Sequence, residues 1–181
     1  MLPEFGYGCD VGANNGWFLS NTKYFEDMGW EILCVEPNPL LVEEAKKIRK
    51  RWVQAACGPE DSDSVTFTAL GEYPWAGGSG FTPEVINGQH GLKKTEYQVP
   101  MRTLNRLLTE AGFPRLDLLS VDVELYELEV LAGIDLLRWG PYIIIMESLS
   151  VEKTSKITDY LYKNSYDFIC VREFDHVFRR R

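Results

Sequence analysis

Short blocks of consecutive apolar residues alternate along the chain with stretches whose apolar positions fall at helical spacing. The blocks predict strands at Phe5–Val11, Glu31–Glu36 (EILCVE), Trp52–Cys57, Leu116–Asp122 (LDLLSVD) and Tyr142–Glu147 (YIIIME). The last is apolar almost throughout, the pattern of a strand covered on both faces. Ser64–Leu70 (SVTFTAL) alternates instead and reads as an edge strand. Helices are expected near Trp17–Met28, from Pro39 onward, at Thr103–Ala111, near Glu127–Leu137 and near Val151–Lys163. Asn38 has the chemistry of an N-cap, with Pro39 at the first helical position. The helix that follows would place Leu41, Ala45, Ile48 and Trp52 on one face and pair Glu43 with Lys47 on the other. Thr103 is a second expected cap. Tyr166–Arg172 and His176–Arg180 lie too close together for a crossover, so they predict an antiparallel hairpin.

The order is therefore βαβαβ, an irregular insertion at 71–95, then αβαβαββ. This is an α/β chain with a mostly parallel sheet and helices on both faces. In such sheets a ligand lies beyond the carboxyl ends of the strands, where the strand order reverses.

Composition narrows the function. The chain has 181 residues, 45% of them hydrophobic, and a net charge of −8. The block 1–181 fits one domain. Its acidity argues against nucleic acid or anionic lipid as a partner. The basic cluster Arg179-Arg180-Arg181 is too small to reverse that. No stretch approaches the roughly 20 apolar residues of a membrane span. MLPEFGYG lacks the features of a secretory signal. Cys9, Cys34, Cys57 and Cys170 form no CxxC pair, and His90 and His176 are isolated, so a zinc site is not expected. Four reduced thiols in the core suit a cytoplasmic setting.

Three patterns carry chemistry. Asp10, Gly12 and Gly16 (CDVGANNG) bend the chain after the first strand, and the glycines let backbone approach a ligand. Glu36 ends the next strand, where an acid can accept from both ribose hydroxyls of an adenosine, or simply favour a helix start. A dinucleotide fingerprint would need a second Gly where Asn14 stands. S-adenosylmethionine carries no phosphate and has an ammonium and a sulfonium, so an acidic pocket suits it better. Asp122 and Glu147 each end a strand and Glu124 follows closely. Such a trio admits a general base with a raised pKa, a Mg²⁺ site, or a structural role in capping and ion pairing.

CDVGANNG, CVEPNP, AACG, VPMRTLNRLL and LLSVDVELYELEVLAG, in this order, resemble the FkbM-type S-adenosylmethionine-dependent methyltransferases over roughly residues 8 to 150, and DHVFRR is similar to the family's closing strand. The resemblance implies a class I, Rossmann-like three-layer sandwich with a mostly parallel seven-stranded sheet and a C-terminal antiparallel hairpin. It implies an O-methyltransferase with a small-molecule or glycan hydroxyl as acceptor, many members acting on sugars or on polyketide-type natural products; a sugar or glycan is the expected acceptor here. Asp10, Gly12, Asn14 and Gly16 would then surround the methionine end, and Glu36 would hold the ribose with Pro37 and Asn38 beside it. Ala56, Cys57 and Gly58 would lie near the adenine. Asp122 and Glu124 would match the family's I-D-V-E-G signature.

Two departures stand out. Leu125 occupies the usual Gly position, and Asp10 comes nearly first, so partner domains are expected if the chain belongs to a longer protein. The 71–95 loop is the expected acceptor site. Tyr73, Trp75 and Phe81, with Tyr126, are the candidate acceptor contacts, Ser79 would touch the methionine end, and His90 is a second candidate base. A nucleotide-dependent oxidoreductase and a catalytically silent binding domain are the competing readings.

Overall fold

The computed structural model describes residues 3–71, 79–81, 91–148 and 150–181. Ten strands and five helices follow one another among them. They are β1 (Tyr7–Val11), α1 (Lys23–Asp27), β2 (Glu31–Val35), α2 (Pro39–Ala45), β3 (Arg51–Val53), β4 (Ala56–Cys57), β5 (Ser62–Leu70) and β6 (Lys94–Arg102). Then come α3 (Leu104–Glu110), β7 (Leu118–Val121), α4 (Glu127–Ala132), β8 (Ile143–Glu147), α5 (Val151–Lys163), β9 (Tyr166–Arg172) and β10 (Asp175–Arg180). Seven strands form one sheet in the order β3-β2-β1-β7-β8-β10-β9, all running the same way except β10, which is antiparallel to both β8 and its hairpin partner β9. This is the expected Rossmann-like architecture.

Successive residues of a strand point to opposite faces, and the core divides accordingly. Cys9, Val11, Leu33, Val35, Leu119, Val121, Ile144 and Met146 face α3, α4 and α5, which contribute Leu104, Leu108, Val130, Leu131, Ile157 and Leu161. On the other face Ile32, Cys34 and Leu118 meet Trp30 and the half-buried Phe25 of α1. β8 is less enclosed than its composition suggested. Ile144 and Met146 are buried, but Ile143 and Ile145 on the second face are only half-buried.

Several sequence expectations need correction. The helix expected at Trp17–Met28 shrinks to α1, because residues 14–20 form a hydrogen-bonded corner. Asn38 does cap α2, accepting from Leu40 N at 3.1 Å. That helix ends at Ala45, so Ile48 is exposed and Trp52 lies on β3, away from the proposed face. Lys47 pairs with Glu44 at 3.8 Å, and Glu43 with Lys46 at 3.3 Å. The strand expected at Trp52–Cys57 splits: β3 closes the large sheet, whereas β4 joins a separate sheet of order β4-β6-β5. β5 is an edge strand there, as its alternation suggests. Its partner β6 claims the end of the presumed loop. The helix expected to run to Leu137 stops at Ala132. Cys9, Cys34 and Cys57 are free and buried, but Cys170 is only half-buried on β9. Among the described residues no helix is long and apolar enough to cross a membrane.

Candidate functional site

The chain runs outward through β1, β2 and β3, then returns to lay β7 on the other side of β1. The reversal between β1 and β7 is where such sheets hold ligands. Register lines up the strand ends. Val11 pairs with Val35 and with Val121, and Val121 pairs with Met146. The next residue on each of these strands is therefore Gly12, Glu36, Asp122 and Glu147. One glycine and three acids stand in a row at the mouth of the sheet.

Gly12 must be glycine. Its φ is +80°, and a Cβ there would sit 1.7 Å from the Asp122 carbonyl oxygen. The loop is tied to β2, with Gly12 N and Ala13 N donating to Val35 O at 2.9 and 3.2 Å. Asn14, at φ +51°, donates its N–H to Glu36 Oε2 at 3.0 Å, while Asn38 N donates to Oε1 at 2.9 Å. Glu36 is thus fixed by two backbone donors and buried. Burial pushes its pKa up to about 7, against those two hydrogen bonds.

Asp10 sits just below this row. Its Oδ2 accepts from Thr22 Oγ1 at 2.5 Å and Ser20 Oγ at 3.1 Å, with Arg49 Nη1 3.6 Å away. Desolvation pushes its pKa upward; the Thr22 and Arg49 contacts oppose this. Arg49, fully buried, was not singled out by the sequence. It donates to Gly16 O at 3.0 Å, Ser20 Oγ at 3.0 Å and Thr22 Oγ1 at 2.7 Å, and pairs with Glu26 at 3.1 Å. Gly16, at φ +79°, stands behind the loop, where a Cβ would lie 2.7 Å from Arg49 Cγ.

Two cavities open on either side of the Gly12–Asn14 loop. The first, about 650 Å³, is lined by Glu36, Pro37, Ala56, Cys57, Ser79 and Phe81, and by Tyr126 and the Asp122–Glu124 turn. Phe81 packs between Phe67 and Tyr126, with ring centroids 5.3 and 5.4 Å away. Residues 79–81 are held there by reciprocal Thr68–Gly80 backbone bonds and by Leu70 N donating to Ser79 Oγ. The second cavity, about 600 Å³, is lined by Asp10, Ser20, Asn21, Phe18, Leu19 and Glu147; Gly12, Asn14, Asp122 and Glu124 border both. Phe81 and Tyr126 thus share a cavity with Glu36, and Tyr73, Trp75 and His90 lie outside the described residues.

Asp122, Glu124 and Glu147 each offer one oxygen within 4.8 Å of the others. Asp122 is reached by solvent through the crevice, yet protein surrounds most of its carboxyl. That enclosure pushes its pKa up to about 6, a hydrogen bond with Glu147 opposing the rise. Desolvation, the Asp122 charge and the same hydrogen bond push Glu147 up to about 9. Near neutral pH the pair therefore shares one proton. The turn after Asp122 is held open. Glu124 and Leu125 both have positive φ, +54° and +70°. Leu125 N donates to Glu127 Oε1 at 2.9 Å, and Lys153 Nζ donates to Leu125 O. Here Leu replaces the less strained Gly, and the two clamps sustain it.

A raised acid pKa stabilises the fold below its ordinary value, and that stability is lost as pH rises through the folded value. From pH 6 to 9, wild type should therefore lose thermal stability relative to Glu147→Gln. Melting curves of both proteins across that range check this; parallel pH profiles would contradict it.

Both cavities fit S-adenosylmethionine in donor chemistry. Among the described lining residues are four acids besides Glu36 and no Lys, Arg or His. A pyrophosphate would find no counter-charge there, whereas a sulfonium and an ammonium would.

The sequence profile described as the methyltransferase FkbM domain matches residues 10–170. No curated protein matches the chain significantly. Among solved structures, the chain is similar to a ribosomal protein L11 methylase from Lactobacillus delbrueckii subsp. bulgaricus, at 13% identity, covering 97% of this chain and 71% of that one, with a TM-score of 0.49. A TehB-like SAM-dependent methyltransferase from Corynebacterium glutamicum matches at 11% identity, over 99% and 82% of the two chains, with a TM-score of 0.49. A precorrin-6y C5,15-methyltransferase from Geobacter metallireducens matches at 11% identity, over 96% and 78%, with a TM-score of 0.46.

Proposed function

Because the chain belongs to the methyltransferase FkbM domain family, and is therefore an S-adenosylmethionine-dependent methyltransferase, we propose that it is an O-methyltransferase acting on a hydroxyl of a sugar or glycan. One observation carries this reading: Glu36, Gly12 and Asp122 end adjacent strands and line one cavity. Glu36 would accept from the ribose hydroxyls. Ala56, Cys57 and Pro37 would flank the adenine. Gly12 and Asn14 would offer backbone to the methionine end, and the Asp10–Arg49 cluster would brace them from below. S-adenosylmethionine supplies an electrophilic methyl on a positively charged sulfur.

The residues of this chain supply alignment and a place for a proton. Asp122 and Glu147 share one proton across a hydrogen bond, so the ionised member is available as a base beside the crevice. An acceptor hydroxyl that donates to this pair is oriented and made more nucleophilic as its proton moves to carboxylate oxygen. Magnesium is the second reading, favoured by the three convergent oxygens and by the hard-oxygen preference of that cation.

The test is a transfer assay with S-adenosylmethionine and neutral glycosides, with release of S-adenosylhomocysteine and the methylated product read by mass spectrometry. A product methylated on oxygen is expected, and Glu147→Gln should slow its formation about 100-fold. Methylation on nitrogen or carbon would overturn the oxygen assignment. Activity that persists in EDTA favours the base, and activity restored only by Mg²⁺ favours the metal.

A further inference from the structure

Three large apolar residues in succession, Trp17, Phe18 and Leu19, stand at the surface with 63%, 52% and 78% of their area exposed. Clustered apolar exposure of this kind marks a contact surface more often than a solvated one. The segment is built, not slack. Asn15 Oδ1 accepts from Trp17 N at 3.0 Å and from Phe18 N at 2.8 Å. Ser20 N donates back to Trp17 O at 3.3 Å, and Leu19 sits at φ +52°. The corner is anchored from behind, since Ser20 and Thr22 hold Asp10 and Arg49 holds both. A braced corner that turns aromatic and aliphatic surface outward is already ordered and so has little further entropy to lose on binding.

Its position gives it a use. Phe18 and Leu19 wall the second cavity, whose other lining includes Asp122, Glu124 and Glu147. The first cavity, with Glu36, would take the adenosyl part of the cofactor and the Gly12–Asn14 rim shared by both cavities its methionine end, which leaves the Phe18–Leu19 side of the second cavity for the acceptor. We propose that the acceptor enters across the Trp17–Leu19 corner as an uncharged or amine-bearing, carbohydrate-like polyol. It lays an apolar C–H face on these side chains and turns a hydroxyl toward Asp122 and Glu147. Asp10, Asp122, Glu124 and Glu147 line the cavity, with no basic side chain among its described residues. Hydroxyls and ammonium groups donate to such a surface. A carboxylate or phosphate on the acceptor would be repelled by it. The stacking surface is thus provided by the segment after β1, and nucleotide sugars, sugar phosphates and uronates are poor acceptors. The transferred methyl rests on the methyltransferase reading; the binding surface can be measured without it.

Saturation-transfer NMR on the full chain, free and saturated with S-adenosylhomocysteine, uses four probes: methyl glucoside, methyl glucosaminide, methyl glucuronide and glucose 6-phosphate. The first two should receive magnetisation from the protein. The two anions should receive about tenfold less. Trp17→Ala should abolish transfer to the neutral probe while leaving affinity for S-adenosylhomocysteine within about twofold, since Trp17 is exposed and folding does not depend on it. Equal or stronger signals for the anions, no transfer to any probe, or an undiminished signal in Trp17→Ala would each overturn the assignment. Failure of S-adenosylhomocysteine to bind would sink the cofactor reading instead, and the corner would still be judged by the probes on the free chain.

Discussion

Replacing Glu36 by Ala weakens the binding of S-adenosylhomocysteine about 100-fold. The estimate follows from two ribose hydroxyls donating to one buried carboxylate, at roughly 1.5–3 kcal/mol per charge-assisted bond, part of which water recovers in the mutant. Isothermal titration checks it, and an affinity within threefold of wild type would remove Glu36 from the site. Glu36→Gln separates charge from shape, because it keeps one oxygen to accept from Asn14 N or Asn38 N. The pH dependence carries a second signature. In the free protein burial holds Glu36 near 7, so its acceptor capacity for hydroxyls is fully present only above that value. Affinity should rise as pH passes from 6 to 8, and Glu36→Gln should flatten that rise.

Arg49→Met lowers global stability by about 3–5 kcal/mol, the usual consequence of leaving buried charges without their partner. Asp10 and Glu26, both buried, lose their only cationic neighbour in the described contacts, and Gly16 O, Ser20 and Thr22 lose a donor. For a chain of this length the melting temperature should fall by about 10 °C. Arg49→Lys should recover less than half, since one ammonium cannot serve the Gly16, Thr22 and Glu26 positions of a planar fork. A thermal shift of under 2 °C for Arg49→Met would show that the cluster does not hold the loop. The expected loss also separates Arg49 from a surface residue of the same basic run, such as Lys47, whose substitution should leave stability within about 0.5 kcal/mol.

Much of this was written in local pattern. Asn38-Pro39 announces the start of α2, and the run from Val151 to Lys163 matches α5 end to end. The apolar blocks that became β1, β2, β7 and β8 also carried their terminal acids, so the row of Glu36, Asp122 and Glu147 could be anticipated as strand ends. Features set by long-range contact were hidden. Arg49 lies in the run Lys46, Lys47, Arg49, Lys50, Arg51, and nothing local separates the one buried member from its solvated neighbours. β6 alternates over nine residues but contains Pro100 and abuts a glycine-rich stretch; the sequence places its first two residues in the 71–95 insertion and assigns no element to 96–102, and its pairing with β5 makes it a strand. The stretch from Trp17 reads as helix because Trp17, Tyr24, Phe25 and Met28 fall at helical spacing. Asn15 caps a first turn by accepting from Trp17 N and Phe18 N, but Leu19 at φ +52° turns the backbone out of a helix before a second turn can form. The Asp122–Glu147 pair depends on the β7–β8 register, which no single segment encodes.

The most direct measurement is a crystal structure of the full chain with S-adenosylhomocysteine. The account predicts both ribose hydroxyls hydrogen-bonded to Glu36, the adenine beside Ala56 and Cys57, and the sulfur facing the partition formed by Gly12 and Asp122. A ligand seated elsewhere, or one whose ribose lies away from Glu36, would contradict it.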